Sequence, residues 1–206
     1  MQRLIYIVRH GATDWNRGGY IQGHLDTPLN REGRVQAEAA GVRLAAAGAT
    51  AIYSSDLLRV YETAQIIARH TRLRIIQKPG LREMYFGDWQ GLSVDQIKVR
   101  DPEIYAARRE RPFEVPPPGG ESWLDFYQRS VGALQDILEA TDAQRIIVAT
   151  HSGVCTALGL EALRLGPTGK RTFGNANCAI HTLGITGDCW EAVSLNDTDH
   201  LPPTSP

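Results

Sequence analysis

Apolar positions along this chain fall into two alternating patterns, which predict strands and helices in turn. Short continuous runs rich in β-branched residues, such as 4–8 and 146–149, predict buried strands. Elsewhere apolar residues recur every three or four positions, as over 121–140, which predicts amphipathic helices. The alternation predicts an α/β fold: a three-layer α/β/α sandwich with a mostly parallel central sheet and an antiparallel edge strand.

The same patterns predict the remaining elements. Strands are expected over 51–55, 73–76, 178–185 and 190–195, and helices over about 57–70 and 153–165. Another helix should begin after Asn30, an N-cap residue, with apolar positions at helical spacing: Val35, Ala39, Val42 and Ala46. Ser93 should cap a short helix together with Gln96, whereas 11–29 is expected to be a loop.

One segment, 101–120, differs in character from the rest of the chain. Its arginines, followed by prolines and glycines, predict a helical excursion and a stiff loop, which would form a lid over the substrate site. The proline-rich end, 202–206, is expected to be disordered. Because there is no internal repeat, 1–206 is expected to form a single domain.

Composition excludes several classes of protein. A net charge of −1 over 206 residues argues against binding nucleic acid or a membrane surface, and the apolar runs are too short to span a bilayer. No signal-peptide pattern opens the chain. Three cysteines without CxxC spacing argue against a disulfide framework or a zinc site, so we expect a cytoplasmic protein without metal. The sequence allows a homo-oligomer.

Candidate chemistry lies where predicted strands end. Arg9, His10 and Gly11 follow the first strand, and His151, Ser152 and Gly153 follow the strand that ends at residue 150. Ligand sites of open α/β sheets gather at this edge, so both imidazoles could share a pocket. A histidine there can donate to an anion, act as a base or attack as a nucleophile. Taken alone, the first motif is equally compatible with an ordinary polar strand end, and His151 alone favours a histidine satisfied by local backbone. The two together favour a shared site.

Two further charged residues follow strands in the same way. Arg59 lies early in a predicted helix, where a guanidinium and a helix N-terminus together favour anions. Glu83 has aromatic neighbours, and apolar surroundings favour a protonated carboxyl, as a general acid requires. Alone, Arg59 could be a solvated helix arginine, and Glu83 would be interpreted as an ordinary surface glutamate.

With these residues in this order, the chain resembles the histidine phosphatase superfamily, the phosphoglycerate-mutase-like group. The likeness extends from about residue 4 to 201 and rests on an ordered series of motifs. These are RHGATDWN (9–16), QG (22–23), TPL (27–29), 54–59, Glu83 with GDWQG (87–91), GGES (119–122), HSG (151–153) and ND (196–197). Within the superfamily, GDWQGLS and GGES look most like the broad-specificity and α-ribazole-type phosphatases.

The resemblance implies a phosphohistidine mechanism without cofactor or metal. His10 would be the nucleophile, Arg9, Arg59 and His151 would surround the phosphoryl oxygens, and Glu83 would serve as acid and then base. Residues expected to contact the substrate are Asn16, Gln22, Gly23, His24, Tyr85, Ser152, Gly153, Arg108 and Arg109. The partner would be a small phosphorylated substrate.

The family divides between phosphatases and mutases, and the sequence favours a phosphomonoesterase. Phosphoglycerate mutases carry a lysine at a position that is Val94 here, and this chain lacks their longer insertion. A mutase-type transfer stays open because Arg108 and Arg109 resemble the mutases' arginine pair and could bind a carboxylate. A module that binds phosphorylated ligands without turnover, and a metallohydrolase using His10 and His151, are the alternatives of other classes.

Overall fold

Six strands form one sheet in the computed structural model, which describes residues 2–203. They are β1 (Arg3–Arg9), β2 (Ala51–Ser54), β3 (Ile75–Gln77), β4 (Arg145–Thr150), β5 (Ile180–Thr186) and β6 (Cys189–Asp197). Their order is β3-β2-β4-β1-β5-β6, with parallel pairing from β3 to β1 and antiparallel pairing from β1 through β6. The carboxyl ends of β1, β2 and β4 therefore meet at one edge of the sheet.

Helices cover both faces of this sheet. In chain order they are α1 (Asp14–Gly18), α2 (Arg31–Ala45), α3 (Leu58–Thr71), α4 (Val94–Arg100), α5 (Pro102–Glu110), α6 (Trp123–Glu139) and α7 (Ser152–Ala162). One apolar core joins β1 and β4 to α6 and α7, and a second core joins the opposite face to α2 and α3. The predicted three-layer sandwich, mostly parallel with antiparallel pairing at one edge, is confirmed. No helix over 2–203 is long and apolar enough to cross a membrane.

The predicted apolar face of α2 is wrong. Val35 and Val42 are 50% and 62% exposed, whereas the buried positions of the helix are Gly33, Ala37, Ala40, Gly41 and Leu44. A Cβ atom at Gly33 would lie 2.1 Å from the carbonyl oxygen of Ala12, and one at Gly41 would lie 2.5 Å from the His70 ring. Because α2 approaches its neighbours so closely, its buried side consists of glycine and alanine except at Leu44.

Other differences from the predicted elements are local. Helix α1 lies inside the predicted loop 11–29, and Thr13 and Asn16 form a capping box at its start. Strand β3 begins two residues later than expected, after Arg72 in a left-handed conformation (φ 58°). Helix α7 ends at Ala162 because Arg164 and Gly166 also adopt positive φ.

The segment 101–120 contains a helix and a tethered loop, as its composition predicts. Asp101 accepts a hydrogen bond from the Trp89 indole (2.8 Å) at the junction of α4 and α5. Beyond α5, the carbonyl of Pro118 accepts from the backbone N–H of Asp88 (2.9 Å). Of the predicted disordered tail, Pro202 and Pro203 line a surface groove beside α2, and 204–206 lie outside the described residues. That 1–206 forms a single domain stays a prediction.

Candidate active site

Two buried histidines meet where β1 and β4 end. His10 follows β1 and His151 follows β4, and their side chains are 3% and 0% exposed. The two rings pack edge to face with centroids 5.4 Å apart. The backbone N–H of His10 donates to the carbonyl of Thr150 (2.9 Å), which continues the pairing of the strands past their ends. Parallel pairing in register thus places both imidazoles in one site.

The His10 ring is neutral and has a defined tautomer. Its Nδ1 lies 2.8 Å from the carbonyl oxygen of Gly11, which can only accept, so Nδ1 carries the proton and Nε2 bears a lone pair. Burial lowers the pKa of His10 well below its ordinary value, and the cations Arg59 and Arg9 lower it further. Nε2 is therefore available as a nucleophile at neutral pH.

His151 is held by the end of another strand. Its Nε2 lies 3.0 Å from the hydroxyl oxygen of Ser55, which follows β2. Its Nδ1 is buried and forms no hydrogen bond with the residues that the structure describes. Burial and Arg59 lower the pKa of His151 well below its ordinary value. The ring also lies at the N-terminus of α7, where the helix dipole favours a bound anion and disfavours protonation of the imidazole.

Two arginines bring positive charge into this buried site. Arg59, 1% exposed, donates to the carbonyls of Gly23 (2.8 Å) and Leu25 (3.0 Å), and Arg9 donates to the carbonyl of Asn175. The Nε atoms of both are buried without a partner, and neither forms an ion pair with a carboxylate within 2–203. Burial lowers the pKa of Arg59 to about 10, so it stays charged. Two such cations create a strong preference for an anion.

Glu83 lies on the loop that follows β3, with its carboxylate at the first turn of α7. Its Oε1 accepts from the backbone N–H of Met84 (2.9 Å), and its Oε2 accepts from that of Gly153 (3.2 Å). A Cβ atom at Gly153 would lie 2.2 Å from Oε1 of Glu83 and 2.8 Å from the ring of Phe126. Only glycine at position 153 therefore allows the carboxylate to reach the first turn of α7.

Residues 22–24 and Asn16 are held by hydrogen bonds to other parts of the protein. Gln22 accepts from the Thr27 hydroxyl (2.5 Å), and Gly23, at φ +52°, offers its carbonyl to Arg59. His24 lies with Nε2 2.7 Å from the carbonyl of Glu83. The Asn16 side-chain oxygen accepts from the backbone N–H of Thr13 (3.0 Å), which orients its amide NH₂ group independently of any ligand.

The other predicted contact residues are Tyr85, Ser152, Arg108 and Arg109. Tyr85 is 41% exposed with its ring centroid 5.2 Å from that of His24, and Ser152 accepts from the Asn175 amide through its carbonyl (2.9 Å). On α5, Arg108 donates to the carbonyl of Val115 (2.5 Å) and lies 3.7 Å from the Met84 sulfur, whereas Arg109 is exposed. The structure thus ties Arg108, but not Arg109, to the Glu83 loop.

Sequence reasoning missed several residues of the site. Ser55 holds His151, and Thr63 accepts from the backbone N–H of Gly11 (3.1 Å). Asn177 donates to the carbonyl of His10 (2.9 Å), and the carbonyl of Asn175 accepts from Arg9. A signal for the asparagines exists: they precede β5, which runs antiparallel to β1, so its beginning lies at the edge where β1 ends.

Buried neutral histidines should make the stability of the fold depend on pH. Burial lowers the pKa of His10, His151 and His181, in the last case to about 4. Below the ordinary value of about 6.5, the unfolded chain binds protons that the native state does not bind. The free energy of unfolding should therefore decrease as the pH is lowered, by about 1.4 kcal/mol per pH unit for each histidine.

Urea unfolding at pH 5 and pH 7 measures this dependence. His181, on β5, is the residue to vary, since its Nδ1 accepts from the backbone N–H of Asn196 (3.2 Å) and it lies outside the histidine pair. The His181→Asn variant should lose one histidine's share of the pH dependence between about 6.5 and 4. An unchanged slope would show that His181 titrates alike in both states.

Known proteins resemble this chain over nearly its whole length. Residues 5–198 match the family model of the histidine phosphatase superfamily (branch 1). The chain is 38% identical over 204 residues to phosphoglycerate mutase-like protein 4 of Arabidopsis thaliana, covering 97% of this chain and 87% of that protein. It is 35% identical over 201 residues to a metal-independent phosphoserine phosphatase of Arabidopsis thaliana (96% and 82%). The α-ribazole phosphatase from Shigella flexneri superposes with a TM-score of 0.88 at 26% identity, over 94% of this chain and 96% of that one.

Proposed function

This chain belongs to the histidine phosphatase superfamily, and from that premise we propose that it hydrolyses small phosphomonoesters through a phosphohistidine on His10. The observation that carries the proposal is the buried pair of guanidinium groups beside a neutral imidazole. Arg9 and Arg59 form no ion pair within 2–203, and Glu83 is the carboxylate that acts on both, so two buried cations share one nearby carboxylate where a phosphoryl group would sit. Charge stabilisation and positioning are what phosphoryl transfer chiefly requires.

In the first step Nε2 of His10 attacks phosphorus. The new N–P bond forms as the P–O bond to the leaving group breaks, and the electron pair of that bond goes to the leaving oxygen. Glu83, entering the step protonated, donates its proton to that oxygen and becomes a carboxylate. Arg9, Arg59 and His151 stabilise the charge on the three transferring oxygens. The Nδ1–H bond to Gly11 orients the ring for this attack.

In the second step water replaces the alcohol. The Glu83 carboxylate accepts a proton from the water as its oxygen attacks phosphorus, the N–P bond breaks, and inorganic phosphate leaves. The group is then protonated again and Nε2 of His10 has regained its lone pair. The backbone N–H groups of Met84 and Gly153 hold the carboxylate between the two steps. No step uses a metal ion, in keeping with the name of the metal-independent phosphoserine phosphatase.

The decisive experiment offers a panel of phosphorylated metabolites and measures both inorganic phosphate and isomerised product. Release of phosphate at the rate of substrate loss would identify a phosphatase. An isomerised product formed without phosphate release would favour the mutase alternative, which the mutase-like relative keeps open. Binding of the panel without either product would leave a non-catalytic phospho-ligand module, the candidate of another class.

The substrate class depends on whether the site binds a carboxylate in addition to the phosphoryl group. Phosphoserine, named for one relative, carries a carboxylate, whereas α-ribazole phosphate, named for the other phosphatase, carries none. Arg108 is half-buried against Met84, burial lowers its pKa, and it forms no ion pair with a carboxylate within 2–203. We infer that Arg108 binds a carboxylate of the substrate, which favours a phosphorylated hydroxy or amino acid.

Paired variants of the two arginines test the substrate class. Arg108→Ala should raise KM for a carboxylate-bearing phosphomonoester by about tenfold or more, because a charge-assisted hydrogen bond contributes roughly 1.5–3 kcal/mol. KM for nitrophenyl phosphate, which has no carboxylate, should not change. Arg109→Ala is the matched control on the same helix. Equal effects of both variants would indicate that Arg108 and Arg109 bind the carboxylate together, as the sequence suggested.

The remaining proposals concern the setting of the reaction. The structure has the free thiols Cys155, Cys178 and Cys189, which suits a reducing cytoplasm. Among residues 2–203 no three His, Cys, Asp or Glu side chains are grouped as a metal site would be. A cytoplasmic location, a reaction without cofactor, the lack of nucleic-acid partners and a homo-oligomer stay predictions.

A further inference from the structure

Arg129, on α6, binds the loop that carries Glu83 through three backbone carbonyls. Its Nη1 donates to the carbonyls of Gly80 (2.8 Å) and Arg82 (3.0 Å), and its Nη2 donates to the carbonyl of Glu83 itself (3.2 Å). Helix α6 is a long element packed in the main core of this face. The guanidinium therefore joins a rigid part of the fold to a loop without regular strand pairing of its own.

Glu121 completes this attachment on the other side of Glu83. It pairs with Arg129 in a bidentate arrangement, with Nε–Oε1 and Nη2–Oε2 distances of 2.9 Å. Glu121 also accepts from the backbone N–H of Tyr85 (3.2 Å), and its own N–H donates to the carbonyl of Tyr85 (2.8 Å). Arg129 and Glu121 thus hold the main chain on both sides of the carboxylate.

The same cation contacts the surface behind the carboxylate. The Arg129 guanidinium stacks over the ring of Phe126 at 5.1 Å, and that ring lies against Gly153, whose N–H binds Oε2 of Glu83. All three nitrogens of the guanidinium are engaged by Glu121 and the carbonyls, so it has little capacity left to bind a substrate. Its geometry suits holding another residue in place.

We propose that Arg129 is a positioning residue that fixes the Glu83 carboxyl at the distance needed for proton transfer to the leaving oxygen. This inference rests on the acid–base role of Glu83 in the proposed function. Proton transfer is sensitive to displacement, and a shift of about 1 Å can cost on the order of 100-fold in rate. Release of the loop should therefore impair mainly those reactions that need a proton donor.

The test compares Arg129→Met, Arg129→Lys and Glu121→Gln on two substrates, nitrophenyl phosphate and an alkyl phosphate. Arg129→Met should lower kcat/KM for the alkyl phosphate about 10- to 100-fold. It should leave kcat/KM for nitrophenyl phosphate nearly unchanged, because kcat/KM reports only the first step and that leaving group needs little acid help. Arg129→Lys, which keeps one cation near the carbonyls, should restore part of the loss, and Glu121→Gln should show a smaller loss of the same kind.

A matched control separates positioning from general destabilisation. Arg34→Met removes a different ion pair, with Glu62, and should leave the ratio of the two rates unchanged. Equal losses on both substrates, or no loss, in the Arg129 variants would overturn the positioning role. If Arg129→Met does not fold, Arg129→Lys and Glu121→Gln decide by the same ratio.

The Glu83→Gln variant tells the failure of this inference apart from failure of the proposed function. If Glu83→Gln shows the leaving-group dependence and the Arg129 variants do not, only the positioning role is wrong. If Glu83→Gln lacks the dependence, the acid role is wrong and the positioning role falls with it.

Discussion

The His10→Ala variant is expected to lose all measurable turnover and to form no phosphoenzyme. The reason is covalent: the attacking atom is Nε2 of this ring, and alanine offers no nucleophile in its place. The pocket itself should survive, because Arg9 and Arg59 are held by backbone carbonyls and not by the imidazole. The variant should therefore still bind vanadate or phosphate while it fails to react.

Trapping after brief exposure to labelled substrate checks the assignment directly. The wild-type protein should give a label that is stable in base and lost in acid, as expected for a phosphohistidine. His70→Ala is the matched control, since His70 pairs with Glu38 on the helical surface, and it should label normally. If His10→Ala kept the label and a His151→Ala variant lost it, the nucleophile would be His151.

The Glu83→Gln variant should lose activity in proportion to how poorly the leaving group departs by itself. Glutamine keeps the shape of the side chain but cannot deliver or accept the proton. General acid–base catalysis contributes roughly 10²- to 10⁴-fold, so an alkyl phosphate should lose about that factor in kcat/KM, which reports only the first step. Nitrophenyl phosphate should lose far less in the first step, because its leaving oxygen is stable as an anion.

Values of kcat/KM for a series of phenyl and alkyl phosphates measure this dependence without the second step, which all substrates share. In the wild-type protein the rate should vary little along the series, and in Glu83→Gln it should fall steeply as the leaving group becomes more basic. Glu32→Gln, at an exposed ion pair with Arg17, is the control and should behave as wild type. A uniform loss along the series would assign Glu83 a structural role instead of proton transfer.

The strand ends account for most of what the sequence could predict. His10 and His151 each follow a short apolar run directly, and parallel register brings the ends of such runs together without further information. Arg59 follows from the same rule, because its helix begins just after β2. The family resemblance then supplied roles for these residues, and the family itself is confirmed.

The features that escaped sequence reasoning depend on close contacts between distant segments. The buried side of α2 is set by the proximity of Ala12 and His70, which no periodicity within the helix records. Asn175 and Asn177 reach the site only because β5 reverses direction beside β1. Arg129 has the appearance of an ordinary charged helix residue until the loop beside it is placed, because its partners are carbonyls, which every residue type possesses.

The missing side chain at position 153 constrains how this protein can vary. Positions 83 and 153 are far apart in the chain, yet a single methyl group on the second would occupy the space of the carboxylate on the first. Any side chain at position 153 would displace the Glu83 carboxyl, so glycine should persist there in descendants of this chain that keep the glutamate. A library that randomises residue 153 by itself should return folded but slow proteins, and faster ones should emerge only when the loop around an unchanged Glu83 is varied in the same library.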